Sequence, residues 1–286
     1  LYLGIGPSLV VVDISDPATP KTVGQVELPG LGGGPLTPDV QEIVLSDEYA
    51  YVGAWGLGLC VVGISEPSAP RVAGCTDFGG IQNELAFSDS YVYVTGRPLR
   101  VVDVADPARP YEAAQLRLEG EITDIAIAGS YAYVAAGGGG LWVVDLSNPT
   151  APREVGHLSL YAAGLFIAGP YAYVVERDLP TVIANRYYLY SLAVVDITEP
   201  TRPRKAGYLK IGYQAPAGWT QRLFVTGPLA YLAAWEAGLR IVDVSDPTRP
   251  REMAHYPAHA VDVWVSGAYA YVATGEALLI LRLQAD

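Results

Sequence analysis

One segment recurs along this chain and constrains its fold more than any other feature. Seven apolar runs can be laid over one another: LVVVDISDP (Leu9 to Pro17), LCVVGISEP (Leu59 to Pro67), LRVVDVADP (Leu99 to Pro107), LWVVDLSNP (Leu141 to Pro149), LAVVDITEP (Leu192 to Pro200), LRIVDVSDP (Leu239 to Pro247) and a degenerate LLILRLQAD (Leu278 to Asp286). The first six are followed by a second proline, at Pro20, Pro70, Pro110, Pro152, Pro203 and Pro250. A YAYV-like segment precedes each run and carries Tyr51, Tyr93, Tyr133, Tyr173, Tyr231 or Tyr271, with Tyr2 as the remnant of a first copy. Tyr93, Tyr133 and Tyr173 are 40 residues apart, as are Tyr231 and Tyr271, and insertions lengthen the other steps. A fixed period of this length means that one supersecondary unit is stacked repeatedly.

Within a period the alternation is that of strands. In the sixth copy, Gln221 to Gly227 reads as a first strand (A), Leu229 to Ala234 as a second (B), Leu239 to Ser245 as a third (C) and Pro250 to Tyr256 as a fourth (D). Val, Ile, Tyr and Leu fill them, Gly, Pro and Asp mark the reversals, and no window sustains a helical period. Four short antiparallel strands in about 40 residues are the signature of a β-propeller blade. The expected fold is all-β, a single β-propeller domain over residues 1–286, with B strands near 1–5, 49–54, 91–96, 131–136, 171–176, 229–235 and 269–274.

The literal LVVVD of Leu9 to Asp13, with the SDPxxP turn after it, resembles the LVIVD repeat of bacterial and archaeal surface propellers. The resemblance spans essentially the whole chain. It implies a secreted or cell-surface location and an interaction role, and it brings no catalytic motif. Counting strands gives seven B and seven C but six A and six D. The expectation is therefore seven blades, the first lacking its inner strand and the last its outer strand. The missing pair, D then A, would precede Leu1 and take about twenty residues, by comparison with Pro110 to Tyr131. An open blade exposes strand edges, so either such a segment or a strand from another subunit is expected to complete the ring.

Composition removes several alternatives. Half the residues are apolar (51%) and only 17% are charged, which excludes a disordered chain. Thirty acidic against 18 basic residues leave a net charge of −12, which argues against nucleic-acid binding by phosphate neutralisation. The 21 uncharged residues between Glu154 and Glu176 approach the length of a membrane helix, but Gly164, Gly169 and Pro170 interrupt them and the equivalent segments of other copies carry charges. We expect no membrane span. Only three Asn and one Met fit a thermophilic source or a GC-rich genome equally well. Leu1 stands where an initiator Met would, so the N-terminus reads as processed, trimmed or incomplete.

Connection lengths point to one face. A-to-B links such as Gly129-Ser130 are tight and the C-to-D links are the uniform SDPxxP turns, whereas the insertions Pro29 to Asp39, Glu176 to Ser191 and Lys210 to Thr220 fall in B-to-C and D-to-A links. Long loops on a rigid scaffold are where binding concentrates. The recurrent Asp of VVD (Asp13, Asp103, Asp145, Asp196, Asp243) lacks the glycine and glutamate of an EF-hand loop and reads as a turn cap. Aligned A strands put Glu42, Glu84, Asp124, Gly164, Arg222 and Asp262 at one position, expected at the mouth of a central channel. These carboxylates could hold Ca²⁺ or attract a cationic partner; alternatively each bonds backbone N–H groups of a neighbouring blade. Trp55 and Trp235 occupy equivalent B-to-C positions, and Tyr187, Tyr188 and Trp219 stand in the long links. Such rings suit protein interfaces or sugar faces, or simply pack the insertions down.

Catalytic signals are poor. His157, His255 and His259 show no metal-ligand spacing, no GxSxG is present, and Gly137 to Gly140 lack the Lys of a phosphate loop. A carboxylate pair such as Asp124 with Asp262 could in principle serve acid–base hydrolysis, but the expectation is no enzyme and no cofactor. Cys60 in strand C and Cys75 in strand D should lie opposite each other; a disulfide there would be worth about 3 kcal/mol and implies an oxidising compartment, two buried thiols being the alternative. The leading reading is an extracellular propeller that binds a protein partner or self-assembles. The second is a carbohydrate-binding or carbohydrate-processing propeller that uses the acidic and aromatic channel mouth.

Overall fold

The computed structural model describes residues 1–30, 38–78, 84–177, 187–216 and 222–283, with the side chains of 187–189 and 212–216 left aside. It is all-β, and its described residues form seven antiparallel sheets, the blades of a β-propeller. Five sheets have four strands; the first and last have three. Two compact units divide the chain, 1–118 with 146–152, and 119–145 with 153–286.

The first unit holds three blades. Blade one is β1 (Tyr2–Ile5), β2 (Ser8–Asp13) and β3 (Lys21–Glu27). Blade two is β4 (Asp39–Leu45), β5 (Tyr49–Trp55), β6 (Gly58–Gly63) and β7 (Arg71–Thr76). Blade three is β8 (Leu85–Ser88), β9 (Tyr91–Val94), β10 (Leu99–Asp103) and β11 (Tyr111–Leu116). Blade one thus begins at its B strand, as strand counting predicts. Leu9, Val52, Leu57 and Cys60 form one core between sheets, and Leu59, Val61, Val92 and Val102 form the next. Alternate residues of each VVV-type run thereby serve opposite faces of a blade, so both faces are apolar.

The second unit holds four blades. Blade four is β12 (Asp124–Ala128), β13 (Tyr131–Ala135), β14 (Leu141–Asp145) and β15 (Arg153–Leu158). Blade five is β16 (Ala162–Ala168), β17 (Tyr171–Arg177), β18 (Tyr187–Asp196) and β19 (Arg204–Pro216). Blade six is β20 (Leu223–Thr226), β21 (Leu229–Ala233), β22 (Leu239–Asp243) and β23 (Arg251–Tyr256). Blade seven is β24 (Asp262–Ser266), β25 (Tyr269–Ala273) and β26 (Leu278–Arg282). It lacks an outer strand among the described residues. The repeat tyrosines are core residues: Tyr133 and Tyr173 sit in the clusters between blades four, five and six. Burial pushes the phenols of Tyr133, Tyr173 and Tyr231 up, and in the first unit Tyr93 is pushed up to about 12 by the same cause.

Two devices shape the blades. Each of the six C–D pairs carries a register shift at the same repeat position, between Val11 and Val12, Val61 and Val62, Val101 and Val102, Val143 and Val144, Val194 and Val195, and Ile241 and Val242. A bulge there raises the local twist of the outer strand. The residue that follows it in the outer strand is Gly24, Gly74, Gly156 or Gly207 in four blades. A Cβ on Gly207 would stand 2.0 Å from the carbonyl oxygen of Pro247 in the next blade's turn. Glycine lets that turn touch the strand backbone. The turns themselves are capped as expected: the side chains of Asp13, Asp103, Asp196 and Asp243 accept the N–H of Ser15, Ala105, Thr198 and Ser245 at 2.9–3.0 Å. Asp145, Asp196 and Asp243 also pair with Arg153, Arg204 and Arg251, eight residues on. These bonds, those from Thr198 and Ser245 foremost, hold the carboxyls of Asp196 and Asp243 down at about 2.

Candidate functional site

The inner-strand column is real in register. In the first unit Glu42 lies opposite Gly53, and Glu84 exchanges bonds with Thr95: its N–H donates to the threonine hydroxyl at 2.8 Å and its carbonyl accepts the threonine N–H at 2.9 Å. In the second unit Asp124 faces Ala135, Gly164 faces Val175, Asp262 faces Ala273, and the Arg222 carbonyl accepts the N–H of Ala233 at 3.0 Å.

Asp124 shows what a carboxylate does in this column. It is 8% exposed. One oxygen accepts the N–H of Ile125 at 2.8 Å, and the other accepts the N–H of Leu165, on the inner strand of the next blade, at 2.7 Å. The side chain therefore ties two blades together through backbone donors, the alternative weighed against cation binding above. Asp262 repeats the first half of this arrangement, accepting the N–H of Val263 at 2.7 Å. Among the described residues no three His, Cys, Asp or Glu side chains gather as a metal site.

The paired tryptophans diverge. Trp55 ends β5 opposite Asp39 and is 45% exposed. Trp235 is 8% exposed; its backbone pairs with Ala260 in both directions, and its ring meets the edge of His259 at 5.2 Å. It holds this place with φ of 52°, a left-handed conformation unusual for a bulky side chain. Gly137, at the same repeat position in blade four, has φ of 53° and pairs with Ala162 in the same way. Tyr187 and Tyr188 fall at the start of β18, opposite Pro216 and Ala215, and their side chains lie outside the described residues, as does all of Trp219.

The histidines and the glycine turn have structural neighbours. His157 stacks on Trp142 at 4.1 Å and bonds the carbonyl of Gly139 at 2.8 Å. A Cβ on Gly139 would lie 2.0 Å from the carbonyl oxygen of Glu119, so this turn is glycine-rich because another backbone runs against it. Cys60 and Cys75 lie opposite each other and form a disulfide, Cα atoms 4.1 Å apart. No helix long and apolar enough to cross a membrane occurs among the described residues.

The LVIVD repeat model matches residues 1–27, 38–77, 79–116, 119–159, 217–258 and 257–281. The chain belongs to the LVIVD-repeat family. Stretch 160–216, which contains all four strands of blade five, lies between the matched segments. No curated protein matches the chain. Among solved structures it is similar to the hydrazine synthase of Kuenenia stuttgartiensis, at 16% identity and a TM-score of 0.67 over 100% of this chain and 93% of that one. It is also similar to a chain of the mitotic checkpoint complex, at 10% identity and a TM-score of 0.69 over 99% and 86%, and to BamB from Moraxella catarrhalis, at 12% identity and 0.61 over 99% and 79%. At these identities the likeness is one of fold. It extends to proteins of unrelated activity.

Proposed function

We propose that this LVIVD propeller is a non-enzymatic, extracellular interaction protein. It takes a protein partner, or a further copy of itself, at the ends of the sheets that carry the long links, with Trp55 as an anchor. The observation that carries the proposal is the contrast between Trp55 and Trp235. The repeat position allows a tryptophan to be buried, as Trp235 is, yet Trp55 stands 45% exposed at the end of its strand. An exposed indole on a rigid element is the kind of side chain that dominates protein interfaces. The blade packing supports a scaffold role in general, and the disulfide of Cys60 with Cys75 fits an oxidising compartment. The absence of catalysis is favoured by the use of the Asp124 carboxylate as a blade tie.

The test is binding of the labelled chain to the surface of cells of its source, with Trp55→Ala and the exposed Trp264→Ala compared. The reading expects Trp55→Ala to weaken binding by about tenfold or more, with Trp264→Ala near wild type. Equal binding by all three, or no surface binding by the wild type, overturns it.

A further inference from the structure

Blade seven presents one unfilled strand position. Among the described residues β26 pairs only with β25, whereas β14, β18 and β22, at the same place in blades four to six, each pair with an outer strand as well. Burial registers the difference. Leu278 and Leu281 of β26 are half-buried, but their counterparts Leu141, Val144, Leu239 and Val242 are buried. The outer strand of the preceding blade shares this exposure. All six residues of β23 are exposed, whereas three of the six in β15 are half-buried. Tyr256 stands in β23 where Leu158 and Leu209 pack against the next blade, yet it is 43% exposed, and Met253 is 61% exposed. An edge of backbone donors and acceptors thus lies beside an apolar flank, the two features by which a sheet takes up a further strand.

Two residues of β26 define what fits there. In blades four to six the Asp that closes the third strand pairs with the arginine that opens the outer strand: Asp145 with Arg153, Asp196 with Arg204 and Asp243 with Arg251. In blade seven that position, opposite Tyr269, is Arg282, and it is exposed. Five of the chain's own outer strands open with Lys21, Arg71, Arg153, Arg204 or Arg251 and would set like charges opposite each other here. The second residue is Leu279. At its position Arg100 and Arg240 meet Glu112 and Glu252 of their outer strands, at 2.6 and 2.7 Å. The sixth outer strand opens with Tyr111 and would bring Glu112 against Leu279.

We infer that this edge binds an extended strand of a partner protein, antiparallel to β26. The bound strand opens with Asp or Glu opposite Arg282 and sets an apolar residue, in place of the repeat's Glu, against Leu279. Main-chain bonds to β26 supply the affinity, and the two side-chain positions supply the selection. A second copy of this chain that exchanged an outer strand would meet neither condition. The site stands apart from Trp55, which belongs to the other unit.

Two labelled peptides test the selection by fluorescence polarisation with the intact protein. Both carry the β15 segment 151–160 with Glu154→Val, and one carries Arg153→Asp as well. The Asp peptide is expected to bind about fivefold more tightly than the Arg peptide, although the chain's net charge of −12 favours the opposite order. Arg282→Glu changes an exposed side chain and is expected to reverse the preference. Trp55→Ala is expected to leave it unchanged. No binding of either peptide at millimolar concentration overturns the inference, as does equal binding, tighter binding of the Arg peptide, or an order that Arg282→Glu does not reverse. A photo-cross-linker at position 279 in the native cell identifies the occupant. The expected adduct is a partner protein whose capture Arg282→Glu abolishes. A dimer of this chain, a chain of unshifted mass, or capture that survives Arg282→Glu overturns the assignment. Because these readouts do not involve Trp55, failure of either reading leaves the other intact.

Discussion

The carboxylate of Asp124 accepts the backbone N–H of Leu165 at 2.7 Å, and by this bond the inner strand of blade four is joined to that of blade five. Its other oxygen accepts the N–H of Ile125, and the side chain is buried, so both donors depend on it. Asp124→Ala leaves two backbone donors without this acceptor and is expected to cost about 2–3 kcal/mol, while Asp124→Asn keeps one carbonyl acceptor and costs less. Thermal unfolding of the two variants checks the order; equal melting of Asp124→Ala and wild type contradicts the role.

Gly207, like Gly139, permits a close backbone approach in the second unit. A methyl group there meets the Pro247 carbonyl, which belongs to a turn fixed by two prolines and a capping aspartate. Gly207→Ala is therefore expected to destabilise by about 1–3 kcal/mol. At Gly63 an added Cβ finds its nearest neighbour 3.7 Å away, so Gly63→Ala should be nearly neutral. Comparative melting curves read the difference directly.

Gly63 also occupies the position held by Asp in the other VVD runs, opposite Arg71. Gly63→Asp would restore both the cap on the Ser65 N–H and the pairing with the residue eight positions on. The expected gain is about 0.5–1 kcal/mol. A fall in melting temperature for this variant would show that the cap is not portable between blades.

Acid sensitivity follows from Asp196 and Asp243. Both carboxyls are lowered from 3.8 to about 2 in the folded chain. A group lowered on folding contributes stability above its unfolded pKa and loses it as pH falls through the folded value. Melting temperature should thus be insensitive to these groups at neutral pH and decline between about pH 4 and pH 2. Their partners Arg204 and Arg251 are exposed side chains, so the effect is modest and weakens with salt. The double variant Asp196→Asn, Asp243→Asn should show a shallower decline over that window.

Reduction of the disulfide is expected to remove about 3 kcal/mol, the cost of freeing a short loop in the unfolded chain. A melting curve with and without reductant measures it, and the Cys60→Ala, Cys75→Ala variant should then melt at one temperature under both conditions.

Most of the architecture was legible because the repeat repeats its causes. The Leu that opens each VVD run, the tyrosine of each YAYV segment and the SDPxxP turn recur with the same partners, so strand identity, blade number and the two incomplete blades follow from counting. The Cys60–Cys75 pairing was legible because a hairpin register needs only the turn centre. The bulge in each outer strand was not, since it is a backbone event with no side-chain signature; the glycine beside it in four blades was the available sign. Alignment also placed Trp55 and Trp235 at one position without showing that one is buried. Burial there depends on the link from the following blade, such as Ala260, and links are where the copies differ.

The central claim is that the Trp55 end of blade two meets another protein. Site-specific photo-cross-linking from position 55 in the native cell tests it most directly, with the same probe at the exposed Met253 as reference. The account predicts a discrete cross-linked protein species from position 55, either a partner or a second copy of this chain, that is absent from position 253. No adduct from position 55, or an identical set of adducts from both positions, would contradict it.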